Sequence, residues 1–232
     1  MILTKTPLRI SFAGGGSDYI VKNTTLSGQV VSATINKFVY VIVKKKHDSL
    51  IRVSYSKTEN VTKVDDLEHV IIRNCLKFCN ISKGIEIVVV ADIPSSGSGL
   101  GSSSALTVGL LLALYKFKEK KISKNDLAKN AYYIEAIMGN KKIGLQDHFS
   151  ASFGGFRNYI FNTENNIIIK KVFIDNKNLA KFLKYLSLYY TGINRKADKI
   201  LGSIKKTYDF KKRKKLINDT EKLKKLLNAK KF

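Results

Sequence analysis

Apolar and polar positions alternate over residues 4–13, which predicts a β-strand. A second β-branched stretch, 28–43, holds Val30, Val31 and Ile35 and then Phe38, Val39, Val41 and Val43, and predicts one long strand or a hairpin. Residues 50–55 and 84–91 read as further strands, the second running into Pro94. Over residues 64–78 the spacing becomes helical, with Leu67, Val70, Ile71 and Leu76 on one side. Residues 105–115 are apolar almost all round, the pattern of a buried helix. Ser123 to Asp126 reads as the cap and first turn of a helix that runs to Met138. Beyond it, 144–155 is a glycine-punctuated loop or helix, and 159–161 and 167–173 are strands. Residues 182–190 fit helix or strand equally, and 196–231 is helical and basic. There is no internal repeat.

Strands first, then strands mixed with helices, predict one α+β layered arrangement. A dinucleotide-binding α/β fold is a poor fit, because no Gly-x-Gly-x-x-Gly opens an early helix. The 232 residues are 44% apolar and 10% aromatic, enough for a real core. The longest apolar run, 106–114, is far short of the roughly 18 residues that cross a bilayer. With no signal-peptide core either, the expectation is a cytoplasmic chain with no membrane partner. Cys75 and Cys79 stand four apart in a predicted helix and read as small core residues, not as zinc ligands or a disulfide pair.

Charge changes this picture in part. A net charge of +24 raises nucleic acid as a partner. The excess is mostly lysine accompanied by abundant Ile and Asn, a mix that an AT-rich genome produces by itself. It is also uneven: from Lys196 onward 14 Lys and Arg stand against 4 Asp and Glu. Nucleic acid is thus the weaker reading, and an anionic small-molecule substrate accounts better for part of the positive field.

The chemistry is concentrated in three clusters. Residues 94–105 read Pro94-Ser95-Ser96-Gly97-Ser98-Gly99-Leu100-Gly101-Ser102-Ser103-Ser104-Ala105 and lead into the buried helix. Glycines let the backbone turn with its N–H groups inward, and a helix start adds unpaired N–H groups and a positive dipole end. The combination binds phosphate. It is not a Walker A loop, which needs Gly-Lys-Ser/Thr. A glycine turn capped by Ser102, Ser103 or Ser104 would use the same residue types, but not at this density. The second cluster is Arg9 with Gly14-Gly15-Gly16-Ser17-Asp18-Tyr19, and the third is Glu135 with Gly144-Leu145-Gln146-Asp147-His148.

All three resemble the galactokinase, homoserine kinase, mevalonate kinase and phosphomevalonate kinase superfamily, the GHMP kinases. The glycine-serine loop is similar to that superfamily's Pro-x-x-x-Gly-Leu-Gly-Ser-Ser-Ala phosphate motif, with Ser98 inserted. Within it, Arg9-Ile10, Phe12 to Asp18 and Gly144 to Asp147 look most like the D-glycero-D-manno-heptose 7-phosphate kinases, and fucokinase-like enzymes share the opening motif. The resemblance spans about residues 5–195. It implies a ribosomal-protein-like two-layer ATP-binding lobe over residues 1–175, and the start of a C-terminal lobe with a basic helical tail over 176–232.

The resemblance also implies roles. ATP would lie against Pro94, Ser96, Gly97, Ser98, Gly99, Leu100, Gly101, Ser102, Ser103 and Ser104. Mg²⁺ would be held by Glu135 and Ser103, with Ser102 as the alternative serine. Asp147 would be the catalytic aspartate that takes or orients the proton of the attacking hydroxyl, and Arg9 would sit beside it and offset transition-state charge. A turn cap for Asp147 and a surface ion pair for Arg9 are the plain alternatives. A sugar phosphate would meet Gly15, Gly16, Ser17, Asp18 and Tyr19, with Arg195 on its distal phosphate. His148 reads as supporting structure. The superfamily's third glycine-rich motif is absent from these 232 residues, whose last glycine is Gly202. The expectation is therefore an incomplete C-terminal lobe, with a weak or inactive kinase remnant as the competing reading.

Overall fold

The computed structural model describes residues 1–19, 27–93, 98–162, 166–190 and 210–228. Its spine is a single 18-residue strand. β1 (Ile2–Ala13) pairs antiparallel along one edge of β2 (Gly28–Lys45), from Ile2 opposite Val43 to Ala13 opposite Val31. The other edge of β2 is divided. Its first third pairs with β6 (Phe156–Phe161) and its last third with β5 (Ile85–Ala91). β3 (Ile51–Ser54) runs parallel to β5, while β4 (Thr58–Val61) and β7 (Ile167–Lys171) close the two ends of the sheet.

Alternation along the strands decides which face is covered. Thr4, Thr6 and Leu8 of β1 and Val39, Val41 and Val43 of β2 are buried, and Leu3 and Lys5 are exposed. Onto the buried face pack α1 (Val70–Phe78), through Ile72 and Leu76, and α2 (Ser102–Phe117), through Leu110, Leu111 and Leu114. Each such side chain contributes roughly 1.5–3 kcal/mol by leaving water. A second cluster joins Val30, Tyr159 and Phe161 of the sheet to Ala128 of α3 (Lys124–Tyr132) and Phe149 of α4 (Gln146–Phe153). The expected α+β architecture is therefore present.

Several boundaries differ from the periodicity. The long β-branched stretch is one strand, not a hairpin. Strand β4 is short and polar and carries no apolar signal. The helix expected from residue 64 begins at Val70, after a single 3₁₀ turn at Val64–Asp66. Its cap is His69, whose Nδ1 accepts from Ile72 N at 3.4 Å, and histidine is not a residue that cap rules look for. Ser123 does cap α3, accepting from Asp126 N at 3.1 Å. The ambiguous 182–190 stretch is the end of α5 (Asn176–Lys184) and then irregular chain.

The basic C-terminal run, where it is described, is a packed helix. α6 (Phe210–Asn228) lies on β1 and β2 and buries Arg213, Thr220 and Leu227. Arg213 donates to the carbonyl of Tyr19 at 3.1 Å, and Thr220 to that of Gln29 at 3.4 Å. Cys75 and Cys79 are free thiols in the main core, and burial pushes the Cys79 thiol up to about 11. No helix among the described residues is long and apolar enough to cross a membrane.

Candidate active site

A cavity of about 290 Å³ opens where the start of α2, the turn after β1 and the segment before α4 meet. Arg9, Asp18, Glu135, Lys141 and Asp147 supply its charged groups, and Ser103 is among its hydroxyls.

Arg9 and Asp147 form one wall. β1 and β2 slip register between Pro7 and Arg9, an irregularity that re-aims a side chain. From there Arg9 grips Asp147 with both prongs, Nε to Oδ1 at 2.7 Å and Nη2 to Oδ2 at 2.6 Å. Its remaining nitrogen, Nη1, donates to the Gly99 carbonyl at 2.6 Å, and its backbone N–H to Leu100 O at 3.1 Å. One residue thus ties the first strand, the glycine loop and the carboxylate together. The side chains are 11% and 25% exposed, so this is a part-buried bidentate pair and not a free surface bridge.

Gly101 occupies the cap position of α2 with φ of 76°. A Cβ there would stand 3.4 Å from both Asp147 Oδ2 and Arg9 Cγ, in a backbone conformation that side chains resist. With no capping side chain, the first-turn N–H groups of α2 are left for an anion, and Ser98, Gly99, Ser102, Ser103 and Ser104 line the same space.

Glu135 forms the opposite wall. It sits on a π-helical turn, Tyr133–Met138, whose wide closure is seen in Gly139 N donating to Ile134 O at 3.0 Å. The side chain is 3% exposed. Ser103 Oγ donates to its Oε1, which also accepts from Lys141 Nζ at 3.2 Å. Its Oε2 accepts from Ser104 at 3.3 Å, from Thr107 at 3.2 Å and from His148 Nε2 at 3.0 Å. Burial pushes this carboxyl up, but the His148 hydrogen bond, the Lys141 ammonium and the Ser103 hydroxyl outweigh it and hold the group at about 2. An ionised carboxylate can only accept, so Nε2 of His148 carries the proton. Among the described residues no group of three or more His, Cys, Asp or Glu could hold a metal ion. One carboxylate with neighbouring hydroxyls instead fits a hard cation that keeps water and phosphate oxygens as its other ligands.

Asp18 joins two loops. Its Oδ1 accepts from Gly16 N at 2.9 Å and its Oδ2 from Gln146 N at 3.0 Å. Burial raises its carboxyl above the usual range, and Asp147 adds to the rise, against the pull of these two N–H groups. The contact requires glycine at 144, where a Cβ would fall 2.0 Å from Asp18 Oδ2. Asp18, Gly16 and Tyr19 line the cavity. Ser17 points elsewhere: fully buried, it exchanges hydrogen bonds with Gln29 of β2 at 2.9 and 3.0 Å and holds the turn. Gly15 and Leu100 are not part of the lining either, and Leu100 packs on the main core.

Of the two serines left open for the cation, Ser103 is the one that donates to Glu135. Pro94, Ser96, Gly97 and Arg195 lie outside the described residues. Lys141 escaped the sequence reading, being one cation among 42 Lys and Arg.

Residues 68–155 match the GHMP kinases N terminal domain, a span that includes Gly101, Ser103, Glu135 and Asp147. Over that span the chain is similar to this family of kinases. Among curated relatives, D-glycero-alpha-D-manno-heptose 7-phosphate kinase of Campylobacter jejuni is 32% identical over 215 residues, 86% of this chain and 62% of that protein. A homoserine kinase of Methanococcus maripaludis is 34% identical over 53% of this chain and 42% of its own length. The chain thus spans less than two thirds of the length of these relatives. A crystal structure of a D-glycero-D-manno-heptose 1-phosphate kinase from Bacteriodes thetaiotaomicron superposes with a TM-score of 0.71 at 25% identity, over 78% of this chain and 62% of that one. A putative sugar kinase from Campylobacter jejuni gives 0.70 at 27% identity, over 98% and 74%.

Proposed function

We propose that the chain phosphorylates a sugar with ATP, and that its substrate is D-glycero-D-manno-heptose 7-phosphate, taken to the 1,7-bisphosphate for surface polysaccharide synthesis. The observation that carries this reading is the placement of Asp147, clamped by Arg9, at the uncapped start of α2 and across one cavity from Glu135 and Ser103. Phosphoryl transfer asks for little covalent chemistry from protein; it needs positioning and charge neutralisation.

In this reading the N–H groups at the start of α2 and the glycine loop cradle the ATP phosphates. Asp18 and its turn receive the sugar. Asp147 accepts the proton of the anomeric hydroxyl as that oxygen bonds to the γ-phosphorus and the bond to ADP breaks. Arg9 fixes the carboxylate and faces the developing charge. Glu135 and Ser103 would hold Mg²⁺, which when bound neutralises phosphate charge. Arg195 is assigned to the sugar's distal phosphate. Residues 1–175 form the ATP-binding lobe, and 176–232 begin a second one. A reaction that consumes ATP suits the cytoplasm.

The test is ADP release by the purified chain with Mg-ATP and the heptose 7-phosphate, run beside L-fucose and beside Asp147→Asn. Release that needs the heptose phosphate and is lost in the variant supports the reading. Release with fucose alone moves the substrate. ATP binding without turnover points to the weak or inactive remnant.

A further inference from the structure

The reading above leaves Lys141 without a task. Its ammonium stands 3.2 Å from Oε1 of Glu135 and 3.5 Å from Oγ of Ser103, the two oxygens assigned to the divalent cation. The side chain is 32% exposed and lines the cavity. A lysine at the end of a helix ordinarily extends its ammonium into water. Here the backbone turns it back. Asn140 takes φ of 48°, and Lys141 N donates to Ala136 O at 3.1 Å, closing the chain across the end of the π-turn. A carboxylate that is 3% exposed needs a cationic partner. An ammonium and a divalent metal cannot share Oε1 and Ser103 Oγ at these distances.

We propose that Lys141 is a resident cation. It occupies the metal's place on Glu135 when no nucleotide is present, and it transfers to the nucleotide's phosphates when Mg-ATP arrives. The first half concerns this chain alone; the second half rests on the kinase reading. Lys141 then has two partners in turn, and the buried carboxylate is never without a positive charge. It is a positioning residue for Glu135 in one state and a phosphate ligand in the other.

Mn²⁺ is the probe, titrated by electron paramagnetic resonance into the nucleotide-free chain. Lys141→Met should bind Mn²⁺ at least about tenfold more tightly than wild type, because a competing charge is gone. Lys141→Arg should stay near wild type. Adding Glu135→Gln to Lys141→Met should abolish the gain. Equal affinity in wild type and Lys141→Met, an equal gain in the arginine variant, or no Mn²⁺ bound by any form overturns the resident-cation assignment. Metal-free ATP is titrated in parallel in the Glu135→Gln background, where no carboxylate holds the lysine back. There, adding Lys141→Met should weaken ATP binding about tenfold and adding Lys141→Arg should leave it nearly unchanged, and unchanged binding with Lys141→Met overturns the transfer. Failure of the wild-type chain to bind ATP at all would overturn the kinase reading and the transfer together. The Mn²⁺ comparison would still decide who occupies Glu135. Thermal melts of each variant establish that the affinities belong to folded protein.

Discussion

Glu135 and Asp147 face the same cavity and are built in opposite ways. Glu135 is 3% exposed and takes hydrogen bonds from Ser103, Ser104, Thr107, Lys141 and His148, which arrive from three different segments. Asp147 has a side chain 25% exposed and is gripped by a single residue, Arg9. The first arrangement fixes a charge in place against a large burial penalty. The second orients a carboxylate and leaves the rest of it open to whatever enters. In the proposed reaction, two acids of nearly equal intrinsic strength take the parts of holder and reactant because their surroundings differ.

The sharpest way to break that contrast is to remove each charge in turn. Asp147→Asn should lower turnover on the order of 10²- to 10⁴-fold in the ADP-release assay, with ATP binding retained. Turnover within a few-fold of wild type would mean that Asp147 is not the reactant. Glu135→Ala should cost about 3 kcal/mol or more in urea unfolding, because it strands buried partners. Asp147→Ala should cost about 1 kcal/mol or less, as expected for a part-exposed pair. Equal losses in the two variants would erase the distinction between them. Arg9→Lys keeps the charge but loses the fork; we expect turnover to fall on the order of tenfold, about the worth of one charge-assisted hydrogen bond, with stability hardly changed.

A further contrast concerns pH. The Glu135 carboxyl is held at about 2, below its ordinary 4.5. Its contribution to stability is therefore complete above pH 4.5 and is lost as the pH falls toward 2. Melting temperatures measured across that interval should show a steeper decline for wild type than for Glu135→Gln. Parallel curves would mean that the carboxylate carries no such linkage.

The parts of this site that were legible in the sequence are those whose residue type is unusual for its setting. Glycines and serines packed ahead of an apolar helix announce Gly101 and Ser103, and a glutamate between Ile134 and Ala136 is out of place on a buried face. Arg9, Asp18 and Asp147 stand in short motifs that carry a family likeness. What could not be read depends on geometry that leaves no compositional trace. Lys141 is hidden by the abundance of lysine around it. Ser17 has the right chemistry for a sugar hydroxyl and sits in the right turn, yet its hydroxyl is committed to Gln29. In the fold, strand β4 has too few apolar residues to register, and the basic run at 210–228 reads as a solvated tail because, among its described side chains, the buried ones are Arg213, Thr220 and Leu227. Arginine and threonine are not residues that announce a packed face.

The π-turn at Tyr133–Met138 also limits which changes of length this region tolerates. Each residue of an ordinary helix rotates the chain by about 100°, and a π-turn contains one residue more than the α-helical turn it replaces. Deleting Ile134 would restore regular winding and swing Glu135 relative to α3, away from Ser103 and His148. Substitutions on the exposed side, at Tyr133 or Ile137, would leave that facing intact. The segment therefore tolerates new letters more readily than a change in their number, and a one-codon deletion here would remove the buried carboxylate from its hydroxyls without altering any residue that touches it.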